Sequence, residues 1–190
     1  MNIKITLKDG YTNVKILSAK LQAVPCVEYG ERSRGTMDVD LSKVVIAPIR
    51  ESQHLEAKRL VLEGLKEHFG FLDESLNPDL DDIAQSYADK GHVFLTGSVD
   101  DRVVCCGALV EADEATGRIV RMSVGKPYRR NGLASRLIDA LERKAKERGY
   151  TSVMLKTIHD WSDAVGFYES KGYAVVGREG RSVKMAKRLT

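Results

Sequence analysis

Cysteine is scarce in this chain: Cys26, Cys105 and Cys106 are the only three among 190 residues. None belongs to a metal-ligand spacing, and an odd number suits a reducing compartment better than a disulfide framework. Cys105 and Cys106 are neighbours in a strand-like run, so their side chains point to opposite faces and a mutual disulfide is not expected. Both read as small buried hydrophobes rather than nucleophiles. The histidines His54, His68, His92 and His159 are scattered, and no metal site is assigned to them. No apolar run reaches the ~18 residues of a membrane span, and the N-terminus lacks a signal-peptide core. An excess of one charge is missing too. Lys and Arg number 30 against 27 Asp and Glu, a net charge of +3, which argues against a general nucleic-acid coat. The expectation is a cytoplasmic globular protein with neither membrane nor nucleic-acid partners.

What the chain does carry is pattern. Its length suits one domain with a real core, and 43% apolar against 30% charged residues is an ordinary globular balance. The organising stretch runs from Arg118 to Tyr150. Ile119 to Val124 reads as a strand, and a short turn with Pro127 follows. Then come Arg129, Arg130, Asn131, Gly132, Leu133, Ala134 and Ser135, opening an amphipathic helix over 133–148. Leu133, Leu137, Leu141 and Ala145 recur every four residues, and Gly149 is a stop that tolerates positive φ. A helix start leaves N–H groups unpaired and carries partial positive charge, so it suits a phosphate. Gly132 and Ala134 keep that surface bare, while Arg129 and Arg130 add directed donors. The pattern therefore predicts a diphosphate cradle. It is neither a Walker loop nor GxGxxG, and a plain strand–turn–helix with two solvated arginines is the rival.

Arg129-x-x-Gly132-x-Ala134 resembles the Arg/Gln-x-x-Gly-x-Gly/Ala signature of the GNAT N-acetyltransferases. The resemblance implies that Arg129 to Ser135 hold the diphosphate of acetyl-coenzyme A. It also implies that Met122, Ser123 and Val124 end a splayed strand whose free main-chain groups pair with the pantetheine arm. The downstream run Asp160 to Tyr173 is similar to a second family pattern, matching it at Ala164, Phe167, Tyr168, Gly172 and Tyr173. Trp161 stands where the family often has asparagine, and an indole there could instead wall the acceptor site or the pantetheine tunnel. By this resemblance Tyr168 is the catalytic acid that protonates the departing thiolate; otherwise it is a half-buried aromatic anchor.

The rest of the chain fits that frame. Residues 1–43 read as an extension containing a β-hairpin and linker, and 44–190 as the main domain. A strand spans Val44 to Arg50. A helix from about Ser52 to Phe69 presents Leu55, Ala57, Leu60, Val61, Leu65 and Phe69, and ends at Gly70. Asn77 and Pro78 signal the start of a further helix, with Leu80, Ile83, Ala84 and Tyr87 as its apolar face and Gly91 as its end. Strands over 92–98, 102–110 and 119–124 are joined by short connections and so run antiparallel. The strand 152–157 follows a crossover helix and runs parallel to 119–124. A short helix capped by Asp160 or Ser162 leads to strands over 174–176 and 182–185. The fold class is α/β: a mostly antiparallel mixed sheet with a central parallel pair, splayed strands and flanking helices.

The function implied is transfer of an acetyl group from acetyl-coenzyme A to a primary amine by direct attack, without metal. The acceptor is a small-molecule amine of unstated identity, and a homodimer is compatible. The general base is not legible: relatives carry a glutamate on the strand before the cofactor loop, where this chain has Arg118 and Arg121. Glu111, Asp113 and Glu114 are the nearest carboxylates, and a water chain is an equal alternative. Residues 118 and 121 have opposite parity, so only one should face the acceptor, where it would favour an acceptor with a carboxylate, such as an amino acid; an arginine at the sheet edge facing water is the favoured alternative. A non-catalytic acyl-coenzyme A binding module is the alternative reading.

Overall fold

The computed structural model describes residues 40–190. The hairpin and linker expected before them lie outside the described residues. A single seven-stranded sheet carries the domain, built from β1 (Val45–Pro48), β2 (Val93–Val99), β3 (Arg102–Asp113), β4 (Thr116–Val124), β5 (Ser152–Ile158), β6 (Ala174–Glu179) and β7 (Ser182–Arg188). Their spatial order is β1-β2-β3-β4-β5-β7-β6. Every neighbouring pair is antiparallel except β4 and β5, which run parallel. The expected mixed sheet is therefore present.

Among the described residues three α-helices flank it: α1 (His54–Phe69), α2 (Leu133–Glu147) and α3 (Ser162–Ser170). The fourfold spacing in α2 does what it predicts, since Leu133, Leu137, Ile138, Leu141 and Ala145 are all buried against the sheet. Burying each Leu or Ile there is worth about 1.5–3 kcal/mol. Gly149 takes φ +83°, just past the helix end. On the opposite face α1 buries Ala57, Val61 and Leu62 with Leu80, Ile83, Tyr87, Phe94, Cys106 and Ala108. Leu55 does not join them, being 60% exposed. Cys105 and Cys106 are sealed on opposite faces of β3, and burial pushes the Cys105 thiol up to about 11 and Cys106 higher still. Both behave as hydrophobes.

Two expected elements differ. The helix over 78–90 is replaced by a short 3-10 turn, Pro78–Leu80, and one π-helical turn, Ala84–Ala88. The reason is tertiary. Asn77 does not cap; its side chain and that of the buried Asp79 both point inward to Arg121. Local helix signals of a few tenths of a kcal/mol yield to a buried charge pair. Likewise α3 is preceded by Trp161, without a side-chain cap from Asp160 or Ser162.

Packing between β2 and β3 leaves no spare volume at Gly97. A Cβ there would lie 2.4 Å from Cys105 Sγ and 3.1 Å from Val44 Cγ1. Gly97→Ala should therefore cost about 1–3 kcal/mol through overpacking, read as a lower urea midpoint with unchanged slope. A neutral substitution would contradict the packing.

Candidate active site

The site begins with an irregularity in β4. Ala108 pairs with Val120 and Cys106 with Ser123, so Arg121 and Met122 together oppose the single residue Gly107. This is a β-bulge, and Arg121 occupies its left-handed position at φ +57°. Holding a non-glycine residue there costs roughly 1–2 kcal/mol. Gly107 has no Cβ because Met122 Sδ would lie 2.8 Å from it. Bulging turns β4 away from β5: the parallel ladder runs only through Thr116–Ser152, Gly117–Val153 and Arg118–Met154. Beyond Arg118 the two strands diverge, leaving a crevice at their carboxyl ends, where open α/β sheets bind ligands.

Ladder alternation then fixes which groups face that crevice. Gly125 N–H donates to Val104 C=O at 2.9 Å, making 125 and 104 a hydrogen-bonded pair. Val124 opposite Cys105 is thus a non-hydrogen-bonded pair, and its N–H and C=O point toward the splay. The carbonyl accepts from Arg129 Nε at 3.0 Å. The Val124 N–H remains directed at the gap.

The start of α2 borders the same crevice. Arg130 and Gly132 both take positive φ, +63° and +77°, an alternation that turns successive amides toward one concavity. Among the described residues, no N–H from Arg130 through Ser135 has an intramolecular acceptor; the first helical bond is Arg136 N–H to Gly132 C=O at 3.0 Å. Nothing lies within 4 Å of where a Gly132 Cβ would be, so the concavity is open. Side chains in this loop do different work. Leu133 is buried, Asn131 Nδ2 donates to Arg129 C=O at 3.0 Å, and Arg130 is exposed near Asp163 at 3.5 Å. Arg129 braces Val124 and pairs with Glu67 at 2.7 Å. The loop's amides thus face the concavity, and Arg129 holds the strand end rather than pointing freely into solvent.

Glu67 and Lys126 had no signal in the sequence, because a charged helix-face residue looks solvated. Glu67 also meets Lys126 at 3.3 Å, and Arg129 foremost, with Lys126, holds its carboxyl below the ordinary range. The groove beside them, about 420 Å³, is lined by Leu60, Gly64, Glu67, Val124 and Lys126 among others. At the end of α1, His68 stacks on Trp161 at 4.1 Å and Phe69 meets the indole edge at 5.2 Å. Trp161 therefore joins α1 to the start of α3 as a wall.

Tyr168 lies on α3, 9% exposed, against Phe167 and Tyr173. Burial pushes its phenol up to about 12. Its hydroxyl has no hydrogen-bond partner among the described residues. Tyr173 differs, since its hydroxyl is already committed to Glu142 at 3.0 Å. Of the two, Tyr168 alone keeps its donor uncommitted among the described residues.

Arg121 corrects the parity argument. The bulge adds a residue, so Arg118 and Arg121 fall on the same face, with Val110 and Val120 toward α1. Arg121 is not available to an acceptor: its Nε donates to Asp79 Oδ2 at 2.9 Å, a second nitrogen to Asp79 Oδ1, and a third to Asn77 at 2.8 Å. Tyr87 hydroxyl completes the cluster, donating to Asp79 at 2.5 Å. Glu111, Asp113 and Glu114 are exposed at the far end of β3 and its turn. Among the described residues no His, Cys, Asp and Glu cluster is arranged to hold a metal, and no helix is long and apolar enough to cross a membrane.

A seven-stranded sheet splayed between its parallel strands, with an anion-ready helix start at the mouth, is the architecture of GNAT acetyltransferases. The model of the acetyltransferase (GNAT) family matches residues 59–173. Human N-acetyltransferase 8B is 28% identical over 114 residues, 57% of this chain and 50% of that protein. Rat N-acetyltransferase 8 is 32% identical over 113 residues, 56% and 51% of the two chains. The chain thus spans about half the length of these curated relatives. Among solved structures, a GNAT-family acetyltransferase from Staphylococcus aureus superposes with TM-score 0.71 at 22% identity, covering 77% of this chain and 99% of that one. The PaiA N-acetyltransferase from Thermoplasma acidophilum, solved in complex with coenzyme A, gives TM-score 0.67 at 16% identity, over 76% and 98%. This chain belongs to the acetyltransferase (GNAT) family.

The bulge depends on its ion pair. Asp79→Ala leaves the largely buried Arg121 guanidinium uncompensated and should cost about 3–5 kcal/mol. Replacing both partners, as in Asp79→Leu with Arg121→Met, should recover most of that loss. Urea denaturation checks it; a loss under about 1 kcal/mol in the single variant would contradict the clamp.

Proposed function

We propose that this protein is an N-acetyltransferase that moves the acetyl group of acetyl-coenzyme A to the primary amine of a small acceptor in the cytoplasm. The observation that carries the reading is the unbroken run of amides from Arg130 to Ser135, unpartnered among the described residues, beside the β4–β5 splay. A diphosphate satisfies those donors together and complements the positive end of α2. From there the pantetheine arm follows the free edge of β4 at Met122, Ser123 and Val124. The thioester carbonyl oxygen then meets the Val124 N–H, which stabilises negative charge developing on it.

The reaction needs no covalent enzyme intermediate. The amine lone pair attacks the thioester carbon, an N–C bond forms and the C–S bond breaks. The electron pair leaves on sulfur, and Tyr168 donates its phenolic proton there. The amine nitrogen loses its proton to water, which also reprotonates Tyr168. With its pKa raised to about 12, Tyr168 stays protonated across the neutral range and is a donor, never a base. No carboxylate on β4 takes the amine's proton, since Arg121 and Arg118 occupy the strand there. That vacancy is what favours the rival reading, a non-catalytic acyl-coenzyme A binding module.

Tyr168→Phe separates the two. It should lower kcat about 10²- to 10⁴-fold, the range for loss of a positioned general acid, while acetyl-coenzyme A still raises Tm. The native pH profile should show no loss of kcat from this group below about pH 10, two units under its pKa. Cofactor binding without free thiol release across a broad amine panel would favour the binding module.

A further inference from the structure

Among the described residues, the α1 side of the sheet is only half covered. Residues packed beneath α1 and the 77–88 segment come from β2, β3, β4 and the end of β1: Ile49, Phe94, Cys106, Ala108, Val110 and Val120. None comes from β5 or β7. On those strands Val153, Leu155, Val183 and Met185 are buried toward α2 and α3. The alternate residues Met154, Lys156, Lys184 and Ala186 face the other way and are partly or fully open. Among the described residues, nothing lies over this floor.

Arg118 stands where the cover stops, paired across the ladder with Met154. Its Nε is the one buried side-chain nitrogen or oxygen without a hydrogen-bond partner among the described residues. No carboxylate among them pairs with the guanidinium, and burial alone pulls its pKa below the ordinary value. A half-desolvated charge without a counterion is costly, so charges in such places are normally paired. The neighbouring cations are not in the same position. Lys156 and Lys184 share Glu179, at 3.1 and 3.8 Å, and Arg121 is bound to Asp79. Among the described residues, Arg118 is the unneutralised charge on this floor.

We propose that Arg118 and the open face of β5 and β7 receive the far end of the acceptor, and that this end carries a carboxylate. The inference rests on the acetyl-transfer reading for where the amine lies. Its geometry also sets the acceptor's length. Arg118 and Val124 are separated by about 20 Å of strand at ~3.3 Å per residue. Allowing for the bulge and the length of an arginine side chain, amine and carboxylate lie on the order of 10 Å apart. A free α-amino acid, whose two groups adjoin, is too short to bridge them. The fitting class is an extended amino carboxylate, such as a long ω-amino acid or a short peptide presenting its N-terminus.

The test compares 8-aminooctanoate with 8-aminooctanamide, which share an amine and differ only at the far end. In the native full-length protein kcat/KM should favour the carboxylate by about tenfold or more, the value of one charge-assisted hydrogen bond. Arg118→Gln should bring the ratio to about one, and a ratio is insensitive to how much variant is folded. A native ratio near one, or a preference that survives in Arg118→Gln, overturns the proposal. If neither amine turns over although acetyl-coenzyme A binds, acetyl transfer to such amines fails, and the anion site is judged by binding alone. Octanoate titrated onto the protein with coenzyme A should then bind about tenfold more weakly to Arg118→Gln; equal affinity refutes the site.

Discussion

An arginine held in a left-handed conformation governs the geometry of this domain. Arg121 at φ +57° makes the bulge that separates β4 from β5. A glycine would sit there without strain, so the position retains a bulky residue at a cost. The return is its side chain, which grips Asp79 and Asn77 in the connection between α1 and β2. One residue thereby bends the strand, opens the crevice and fastens the segment that covers the α1 face. Strand geometry and loop placement are coupled through a single guanidinium.

Around the crevice, charges are arranged in two ways. Amides of residues 130–135 are left without partners among the described residues and held by fixed backbone dihedrals, so an anion meets donors that need no rearrangement. Most cationic side chains nearby are already spoken for: Arg129 by Val124 and Glu67, Lys126 by Glu67. These exposed pairs contribute little stability individually. Their role is geometric, because they tie the end of α1 to the end of β4. The His68–Trp161 stack ties the same end of α1 to α3. The mouth of the splay is thus framed on three sides by contacts that ligand binding need not create.

Much of this was legible from the residues. The fourfold apolar spacing of α2 and the strand-then-turn preceding it named the central unit, because a buried amphipathic helix has few alternatives. The short connections between β2, β3 and β4 forced antiparallel pairing. What could not be read depended on distant partners. Asn77 and Pro78 carry a sound helix-start signal, but Arg121, some forty positions later, claims Asn77 and Asp79 and leaves only a 3-10 and a π turn. Parity along β4 assigned Arg118 and Arg121 to opposite faces, and a bulge has no reliable signature when a non-glycine residue occupies it. Nor could the contact of Arg129 with Glu67, sixty-two positions away, be read from local sequence.

The central claim is that the bulged strand and the bare amides of α2 together aim a thioester at Tyr168. A crystal structure of the full-length protein with coenzyme A tests this most directly. The account predicts the diphosphate seated on the N–H groups of residues 130–135, the pantetheine along β4 beyond Arg121, and the sulfur within hydrogen-bond reach of the Tyr168 hydroxyl. A cofactor bound elsewhere, or one whose sulfur lies far from that phenol while β4 and β5 close up, would contradict it.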